Sequence, residues 1–296
     1  MKIAIAFTMD CENLHDLSGV GGVTDWDFSE RSIRGFADLL EEQGQRSTLF
    51  LCPETAVAHQ SWLPEIEARG HELAMHFHPD SFADGNARGL GQLGEYPGEV
   101  QRNMLTDGIT MWSDALGRSP HCFRPGCFSA NDETFRILVD LGFRYGSCSS
   151  PGRNEPRIGA IWQPPLLDTH RVNASLRSLP GDLDFVEVPL TVDWEVRFAH
   201  RFGWDLPQEL LIERGDIPTL VEVIRKNVVR TREASIPLPS ICADTHNVWD
   251  YSDPNDEKRK RLVGMIDCLG ELEDKTGILF EEGTIKSIAE AYRRER

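Results

Sequence analysis

The sequence predicts an α/β fold in which a parallel sheet forms a single (β/α) barrel domain over residues 1–296. Short β-type runs alternate with helical patterns along most of the chain, which is typical of repeated β-α units and a parallel sheet. About eight runs can be assigned as strands, and this number favours a barrel over an open sheet. No Gly-x-Gly-x-x-Gly or Walker-type loop follows any of these runs, which disfavours a nucleotide-binding sheet.

The first half of the chain is predicted to contain five strands with helices between them. The first helical pattern can be capped by Ser29, is apolar on one face and ends at Gly44. The second helical pattern is expected to break near Pro64. The predicted strands read KIAIAFT, STLFLC, HELAMHFH, HCFRP and FRYGSC.

The second half begins with a segment, residues 149–183, that is rich in Pro, Gly, Arg and Ser and is expected to be a long loop. Regular alternation then returns with three strands, DFVEVPLT, PSICADTH and ILFEEG. Three amphipathic patterns complete the chain as helices: IPTLVEVIRKNVVRTREA, DEKRKRLVGMIDCLGELEDKTG and TIKSIAEAYRRER.

The bulk composition excludes several classes of protein. The formal net charge of −17 argues against a nucleic-acid backbone or an anionic membrane surface as the partner. Seven scattered cysteines without a Cys-x-x-Cys pair argue against a disulfide scaffold or a structural zinc knuckle. The apolar run at the N-terminus is too short for a secretory leader, and no run reaches the length of a membrane span, so we expect a cytoplasmic protein. The sequence is compatible with a homo-oligomer.

Polar side chains occur where four of the predicted strands end. Because active sites of parallel barrels lie at the carboxyl ends of the strands, these side chains are expected on one rim. In a strand, residues i and i+2 point the same way, so each acidic or histidine pair can face one side. Imidazole and carboxylate together suit a divalent first-row metal, although each residue alone is more simply a structural one. The residues are Asp10 and Glu12, His76 and His78, Arg124, and Asp244 and His246.

Five short segments, in this order, resemble the motifs of the polysaccharide deacetylase superfamily, which comprises carbohydrate esterase family four and amidase relatives. The segments are TMDCEN, GHELAMHFHPD, FRPGCFSANDETF, VEVPLTVDWEV and ICADTHN. The resemblance covers roughly residues 3–250 and implies a distorted (β/α) barrel of about seven parallel strands. The first three segments depart from the usual Thr-Phe-Asp-Asp-Gly, His-x-x-x-His and Arg-x-Pro-Tyr patterns.

The resemblance implies a general base and a metal site. Asp10 would be the general base, and Glu12 would be the acidic ligand of a divalent metal. The expected ion is Zn²⁺. His76 matches the first histidine ligand. A gapless alignment puts Asp80 at the second histidine, whereas a two-residue gap puts His78 there. His78 is preferred because imidazole then replaces imidazole, and ligation by both residues stays open.

The resemblance also implies roles around the base and the leaving group. Arg124 would hold the catalytic aspartate, and a backbone N–H of Gly126 or Cys127 would contribute to the oxyanion hole. His246 would be the general acid. Asp193 and Trp194, in the segment VDWEV, would form an apolar wall that orients the base.

The implied function is a metal-dependent hydrolase that removes an N-acyl group from a sugar or a related small amide. The expected acyl group is acetyl. One alternative is a metal-free, allantoinase-like amidase, because the superfamily includes members that have lost metal ligands. A second alternative is a non-catalytic barrel that binds a carbohydrate. In each case the partner is a small molecule or a carbohydrate.

Overall fold

A curled, mostly parallel sheet organises the molecule, and the computed structural model describes residues 1–17, 21–82, 91–199 and 205–295. The strands are β1 (Lys2–Cys11), β2 (Ser47–Leu51), β3 (Glu72–Phe77), β4 (Cys122–Pro125), β5 (Tyr145–Gly146), β6 (Asn154–Glu155), β7 (Ala160–Ile161), β8 (His170–Arg171), β9 (Val186–Glu187), β10 (Val192–Ala199), β11 (Asp205–Glu209), β12 (Ser240–His246) and β13 (Leu279–Gly283). The helices are α1 (Trp26–Glu42), α2 (Pro53–His59), α3 (Leu63–Ala68), α4 (Gly98–Leu116), α5 (Thr134–Asp140), α6 (Ile217–Glu233), α7 (Glu257–Thr276) and α8 (Ile285–Arg294).

The main sheet has the order β12-β1-β2-β3-β4-β5-β9-β8. Neighbours from β12 to β9 are all parallel, β8 is antiparallel to β9, and β13 runs parallel to the first half of β1. The predicted fold class, an α/β distorted barrel with about seven parallel strands, is confirmed. No helix within the described ranges is long and apolar enough to cross a membrane.

Irregular backbone borders β12 on the edge that faces away from β1. The N–H of Thr191 donates to the carbonyl of Cys242 over 3.0 Å. Leu211 forms a parallel bridge with Asp244, and the Ile212 N–H donates to the Asp244 carbonyl over 2.9 Å. Two short stretches, one before β10 and one after β11, therefore lie beside the end of β12, where a further barrel strand would lie.

Three local predictions need correction. Asp25, not Ser29, caps α1, because its carboxylate accepts the Phe28 N–H, while Ser29 is buried inside the helix. The predicted break near Pro64, by contrast, is observed between α2 and α3, and Pro64 lies in the first turn of α3 where its missing N–H costs nothing.

The predicted strand over residues 184–191 is shorter than expected, since only Val186–Glu187 pairs as β9. A second sheet, β10-β11-β6-β7, was not predicted. The hairpin in it is hard to recognise because β10 is irregular between Asp193 and Arg197 and β11 contains Pro207, a residue that weakens a strand assignment. The segment 149–183 is also less irregular than predicted, because it contributes the two-residue strands β6, β7 and β8.

Alternation along the strands separates the helix-facing core from the barrel interior. In β1, the odd-numbered apolar residues from Ile3 to Cys11 belong to the large cluster that packs under the helices, whereas Ala6 belongs to the inner cluster. The same alternation in β3, β4 and β12 directs the polar members of those strands inward. The inward polar residues are Thr8, Asp10, His76, Arg124 and Asp244, all buried.

Candidate active site

Arg124 occupies the centre of the buried polar group at the carboxyl ends of the strands. Its Nη1 donates to Asp10 Oδ1 over 2.7 Å and to Asp244 Oδ1 over 2.6 Å. Nε and Nη2 donate to the carbonyl and hydroxyl of Ser147 over 3.1 and 3.0 Å, and the guanidinium lies 4.1 Å from the ring centre of Phe50. The guanidinium is fully buried, so its position and that of Asp10 are fixed by these contacts.

Two carboxylates share this one guanidinium, and the second, Asp244, was not assigned a role from the sequence. Burial raises the pKa of Asp244 to about 7, against the opposing effect of Arg124 and with a further rise from Asp10. Burial alone would lower the pKa of Arg124, but Asp10 and Asp244 raise it above its usual value. The charged state of Arg124 is therefore secure, and Asp244 protonates more readily than an ordinary aspartate.

Glu12 lies one residue beyond β1, and neighbouring side chains hold its backbone. Its N–H donates to Asn247 Oδ1 over 2.9 Å, and its carbonyl accepts the Thr55 hydroxyl over 3.0 Å. Its carboxylate consequently remains on the same side as Asp10, as the alternation predicts. Burial would raise the pKa of Glu12, but His78 and His76 hold that pKa well below its usual range.

Glu12, His76 and His78 form a buried cluster whose donor atoms lie within 4.8 Å of one another. Glu12 Oε1 is 3.4 Å from His76 Nε2 and 3.2 Å from His78 Nε2. A tetrahedral ion with bonds of ~2.0–2.1 Å to nitrogen and oxygen requires neighbouring ligand atoms to be about 3.3 Å apart. The separations to the carboxylate oxygen match that requirement.

The His76 ring is oriented for ligation. Its Nδ1 lies 3.0 Å from the Arg124 carbonyl, which can only accept, so Nδ1 carries the proton and Nε2 of the neutral ring presents a lone pair. Nε2 is buried and has no hydrogen-bond partner among the residues that the structure describes. A buried nitrogen left in this state is costly unless a cation or another donor occupies the space beside it. The donor set therefore fits a divalent metal.

Asp80 lies on the other side of the His78 ring from Glu12. Its Oδ1 is 3.7 Å from His78 Nδ1, and its Oδ2 accepts from Gln92 Nε2 over 2.8 Å. The structure thus brings His78 into the three-residue cluster and places Asp80 behind that histidine. Asp80 therefore approaches the opposite ring nitrogen at ion-pair distance, not the Nε2 that lies beside Glu12.

The turn after β4 passes directly against His78. A Cβ added to Gly126 would lie 2.3 Å from His78 Nδ1, so only glycine allows this approach. Cys127, the next residue, has φ 53° and ψ 18°, in the left-handed region. The two residues that are candidates for the oxyanion hole therefore lie beside the cluster of Glu12, His76 and His78, here called the ligand cluster.

His246 faces Asp10 and Asp244, with which it forms a second group of donor atoms within 4.8 Å. Its Nδ1 is hydrogen-bonded to Glu213 Oε1 over 2.5 Å, and Glu213 Oε2 accepts the Thr245 hydroxyl over 2.9 Å. Burial by itself would lower the pKa of His246, but Glu213 raises it to about 10. His246 is therefore a cation at neutral pH.

Glu213 was missed by sequence reasoning. It lies in the irregular segment that borders β12, outside every predicted strand and helix, and no residue pattern marks it. Only the pairing of Leu211 with Asp244 brings it beside His246.

Asp193 and Trp194, predicted to form a base-orienting wall, lie outside the hydrogen-bonded group around Asp10, and their role stays a prediction. Asp193 lies 2.8 Å from Lys226 Nζ and accepts the Glu195 N–H over 3.0 Å. The Trp194 ring centre is 5.9 Å from the Arg230 guanidinium. Within the described ranges, no hydrogen bond or ion pair joins either residue to Asp10 or to the ligand cluster. The segment instead begins the hairpin of the second sheet, which leads away from the inward-facing strands.

Comparisons with known proteins address the family and the fold. A sequence model of the family "Polysaccharide deacetylase" matches residues 25–146. The chain resembles polysaccharide deacetylases in sequence and in fold. The resemblance predicted from the five motifs is thereby confirmed. No curated protein matches the sequence.

Several solved structures share the polysaccharide deacetylase fold with this chain. A Mycobacterium smegmatis protein named as a polysaccharide deacetylase has a TM-score of 0.61 at 19% identity, over 99% of this chain and 91% of that chain. A Pseudomonas aeruginosa PAO1 protein named likewise has a TM-score of 0.59 at 15% identity, over 99% and 92%. The Puue allantoinase has a TM-score of 0.55 at 13% identity, over 99% and 90%. At these identities the likeness concerns the fold.

Proposed function

We propose that the protein is a metal-dependent hydrolase that removes an N-acyl group from a sugar or a related small amide. The proposed acyl group is acetyl. The observation that carries this proposal is the buried Nε2 of His76, which faces Glu12 and has no hydrogen-bond partner in the described part of the chain. The match to the polysaccharide deacetylase family supports amide hydrolysis as the reaction class.

Glu12, His76 and His78 are the proposed ligands, and Zn²⁺ is the proposed ion because two imidazoles and a carboxylate in tetrahedral spacing suit it. Three protein ligands leave one position for water or substrate. When bound, such an ion polarises the amide carbonyl and lowers the pKa of a water molecule. Asp80, through His78 Nδ1, would orient the ring and strengthen the histidine as a ligand.

Asp10 is the proposed general base that accepts a proton from the attacking water. Its Oδ2 lies 3.7 Å from His76 Nε2, so the carboxylate borders the place where the water must sit. The hydrogen bond from Arg124 to Oδ1 orients Asp10 and leaves Oδ2 for the proton.

The turn at Gly126 and Cys127 is proposed to stabilise the negative charge that develops on the carbonyl oxygen. Backbone N–H groups held at such a position act without reorganisation during the reaction. The contact between Gly126 and the His78 ring fixes this turn beside the proposed ligands.

His246 is the proposed general acid that protonates the leaving amine. An amine leaves poorly as an anion, so the nitrogen must receive a proton as the carbon–nitrogen bond breaks. Glu213 keeps His246 protonated at neutral pH, and the second ring nitrogen faces the side occupied by Asp10 and Asp244. Over one turnover Asp10 releases the proton it took to solvent and His246 takes one up, so both residues return to their starting states.

The likeness to the Puue allantoinase favours a second candidate, an amidase that acts on a small cyclic or linear amide without metal. The same Asp10, Arg124 and His246 would then activate water directly. Elemental analysis of the purified protein separates the two candidates, because only the first requires close to one equivalent of metal per chain. A protein that binds metal but hydrolyses no member of a broad amide panel would instead be a non-catalytic carbohydrate-binding barrel.

The decisive experiment replaces His76 with alanine and measures metal content and acetate release together. We expect His76→Ala to lose both, since one of three ligands is removed. His121→Ala is a matched control, because the His121 side chain is exposed and its Nδ1 bonds the Gly142 carbonyl. It should retain metal and activity. Full activity in a metal-free His76→Ala variant would falsify the metal-dependent proposal.

A further inference from the structure

The turn that follows β4 contains two consecutive residues in a conformation that side chains rarely adopt. Cys127 and Phe128 both have φ of 53°, and neither is glycine. Such a backbone persists only when the surrounding structure over-determines it. Because Gly126 of the same turn packs on His78, a relaxed turn would move away from the proposed ligands.

Side chains from a later segment hold both carbonyls of this pair. Arg153 Nη1 donates to the Cys127 carbonyl over 2.7 Å, and Trp162 Nε1 donates to the Phe128 carbonyl over 2.8 Å. The Arg153 guanidinium also lies 5.0 Å from the Phe128 ring centre. Arg153 thus contacts both left-handed residues, one through its carbonyl and one through its ring.

Arg153 is in turn fixed by Glu209, a carboxylate with no exposed surface at the end of β11. Nε of Arg153 donates to Glu209 Oε1 over 3.1 Å, and Nη2 makes a shorter bond to the same oxygen. Ser150 donates to this oxygen over 2.6 Å, and Arg214 Nη1 donates to Oε2 over 2.5 Å. A planar guanidinium held by two of its nitrogens leaves the third, Nη1, aimed at a single acceptor.

We propose that Arg153 and Glu209 are positioning residues that lock the Gly126–Phe128 turn beside His78, so that its N–H groups meet the oxyanion. The inference rests on the proposed function for its catalytic meaning, whereas the locking of the turn is independent of it. Neither residue belongs to the five motifs. They connect the second sheet, which holds Glu209, to the rim of the main sheet.

The locking is tested without any substrate by the reactivity of the Cys127 thiol. In a Cys268→Ser background Cys127 is the one cysteine that is not buried. We expect Glu209→Gln and Arg153→Lys to react with a thiol-specific disulfide reagent several-fold faster than the background, because the loosened turn exposes the sulfur. Lysine cannot serve Glu209 and the Cys127 carbonyl at the same time.

Arg69→Lys is the matched control, since Arg69 Nε donates to Glu41 Oε1 over 2.9 Å just before β3, at the amino ends of the strands. Its labelling rate should equal that of the background. Two variants are used, one that removes the carboxylate and one that replaces the guanidinium, so that the test can still be made if one of them does not fold. Unchanged labelling in a folded Arg153→Lys or Glu209→Gln protein would overturn the inference, whatever the activity.

The catalytic meaning is tested by steady-state kinetics on the best N-acyl substrate. Both variants should lower kcat ~10- to 100-fold with little change in KM, the size expected when a reacting group is displaced by about 1 Å. Metal content should stay at the wild-type level. Faster labelling with an unchanged kcat would show that the turn is held but not used, which also overturns the positioning role. A wild-type protein without hydrolytic activity would refute the proposed function, while the labelling result still decides whether the pair locks the turn.

Discussion

Replacing Arg124 with methionine removes the guanidinium that two buried carboxylates share. In the folded protein Asp10 and Asp244 accept from the same Nη1 over 2.7 and 2.6 Å, and the guanidinium has no exposed surface. Breaking a buried ion pair from one side costs about 3–5 kcal/mol, since the remaining carboxylates lose their shared donor and are buried from the water that could replace it. We expect Arg124→Met to lower the free energy of unfolding by that amount and to lower Tm by on the order of 10 °C.

The assay is equilibrium unfolding in urea at neutral pH, with Arg102→Met as the matched control. Arg102 pairs with Asp140 over 2.6 Å on the surface, where such a pair contributes ~1 kcal/mol or less. A double-mutant cycle with Asp244→Asn isolates the shared contact, and the two changes should be non-additive by about 1–3 kcal/mol. A loss below about 1 kcal/mol for Arg124→Met, or strict additivity in the cycle, would refute the reasoning.

The pH dependence of unfolding gives an independent check of the same group. Burial raises the pKa of Asp244 to about 7 in the folded state, against an unfolded value of about 3.9. The folded protein therefore binds more protons than the unfolded chain, and this contribution to stability is complete below pH ~4 and is lost as the pH rises through about 7. Asp244→Asn should remove that part of the pH dependence.

Three further substitutions address the proposed acid, turn and ligands. Glu213→Gln should lower the pKa of His246 from about 10 and move the alkaline limb of the pH profile of kcat to lower pH. The free energy of unfolding should also lose the stabilising contribution of His246, which is fully present below pH ~6.5 and is lost as the pH rises through about 10. An unchanged profile would contradict the assignment of Glu213. Gly126→Ala should abolish metal binding, measured by titration calorimetry, because its Cβ would lie 2.3 Å from His78 Nδ1; normal affinity would mean that the turn can move freely. Asp80→Asn should weaken metal affinity only ~10- to 100-fold, as expected for a residue that orients a ligand, and a complete loss would make Asp80 a ligand itself.

Much of the fold and part of the site follow from local sequence periodicity. The run KIAIAFTMDC alternates its core-facing residues, so a reader of the sequence can already assign Asp10 and Thr8 to the same face. The rule that parallel strands end on one rim then predicts that Asp10, His76 and Arg124 meet. These inferences succeed because each depends on a few consecutive residues and on a general rule of barrels.

The choice between His78 and Asp80 could not be made from spacing, because both follow the same strand and both can ligate a metal. In the tertiary structure His78 Nε2 faces Glu12, while Asp80 lies on the other side of the ring. That outcome depends on how the chain turns after Phe77, and on Gly126, which approaches the ring from β4.

Glu213 and the Arg153–Glu209 pair were invisible in the sequence for a different reason. Each acts through a residue far along the chain: Glu213 is 33 positions from His246, and Glu209 is 56 positions from Arg153. Their segments are irregular or belong to short strands, where no hydrophobic period reports which way a side chain points. The pattern of the sequence specifies which faces of regular elements are buried, whereas contacts between loops are decided only when the packed sheet brings their side chains within hydrogen-bonding distance.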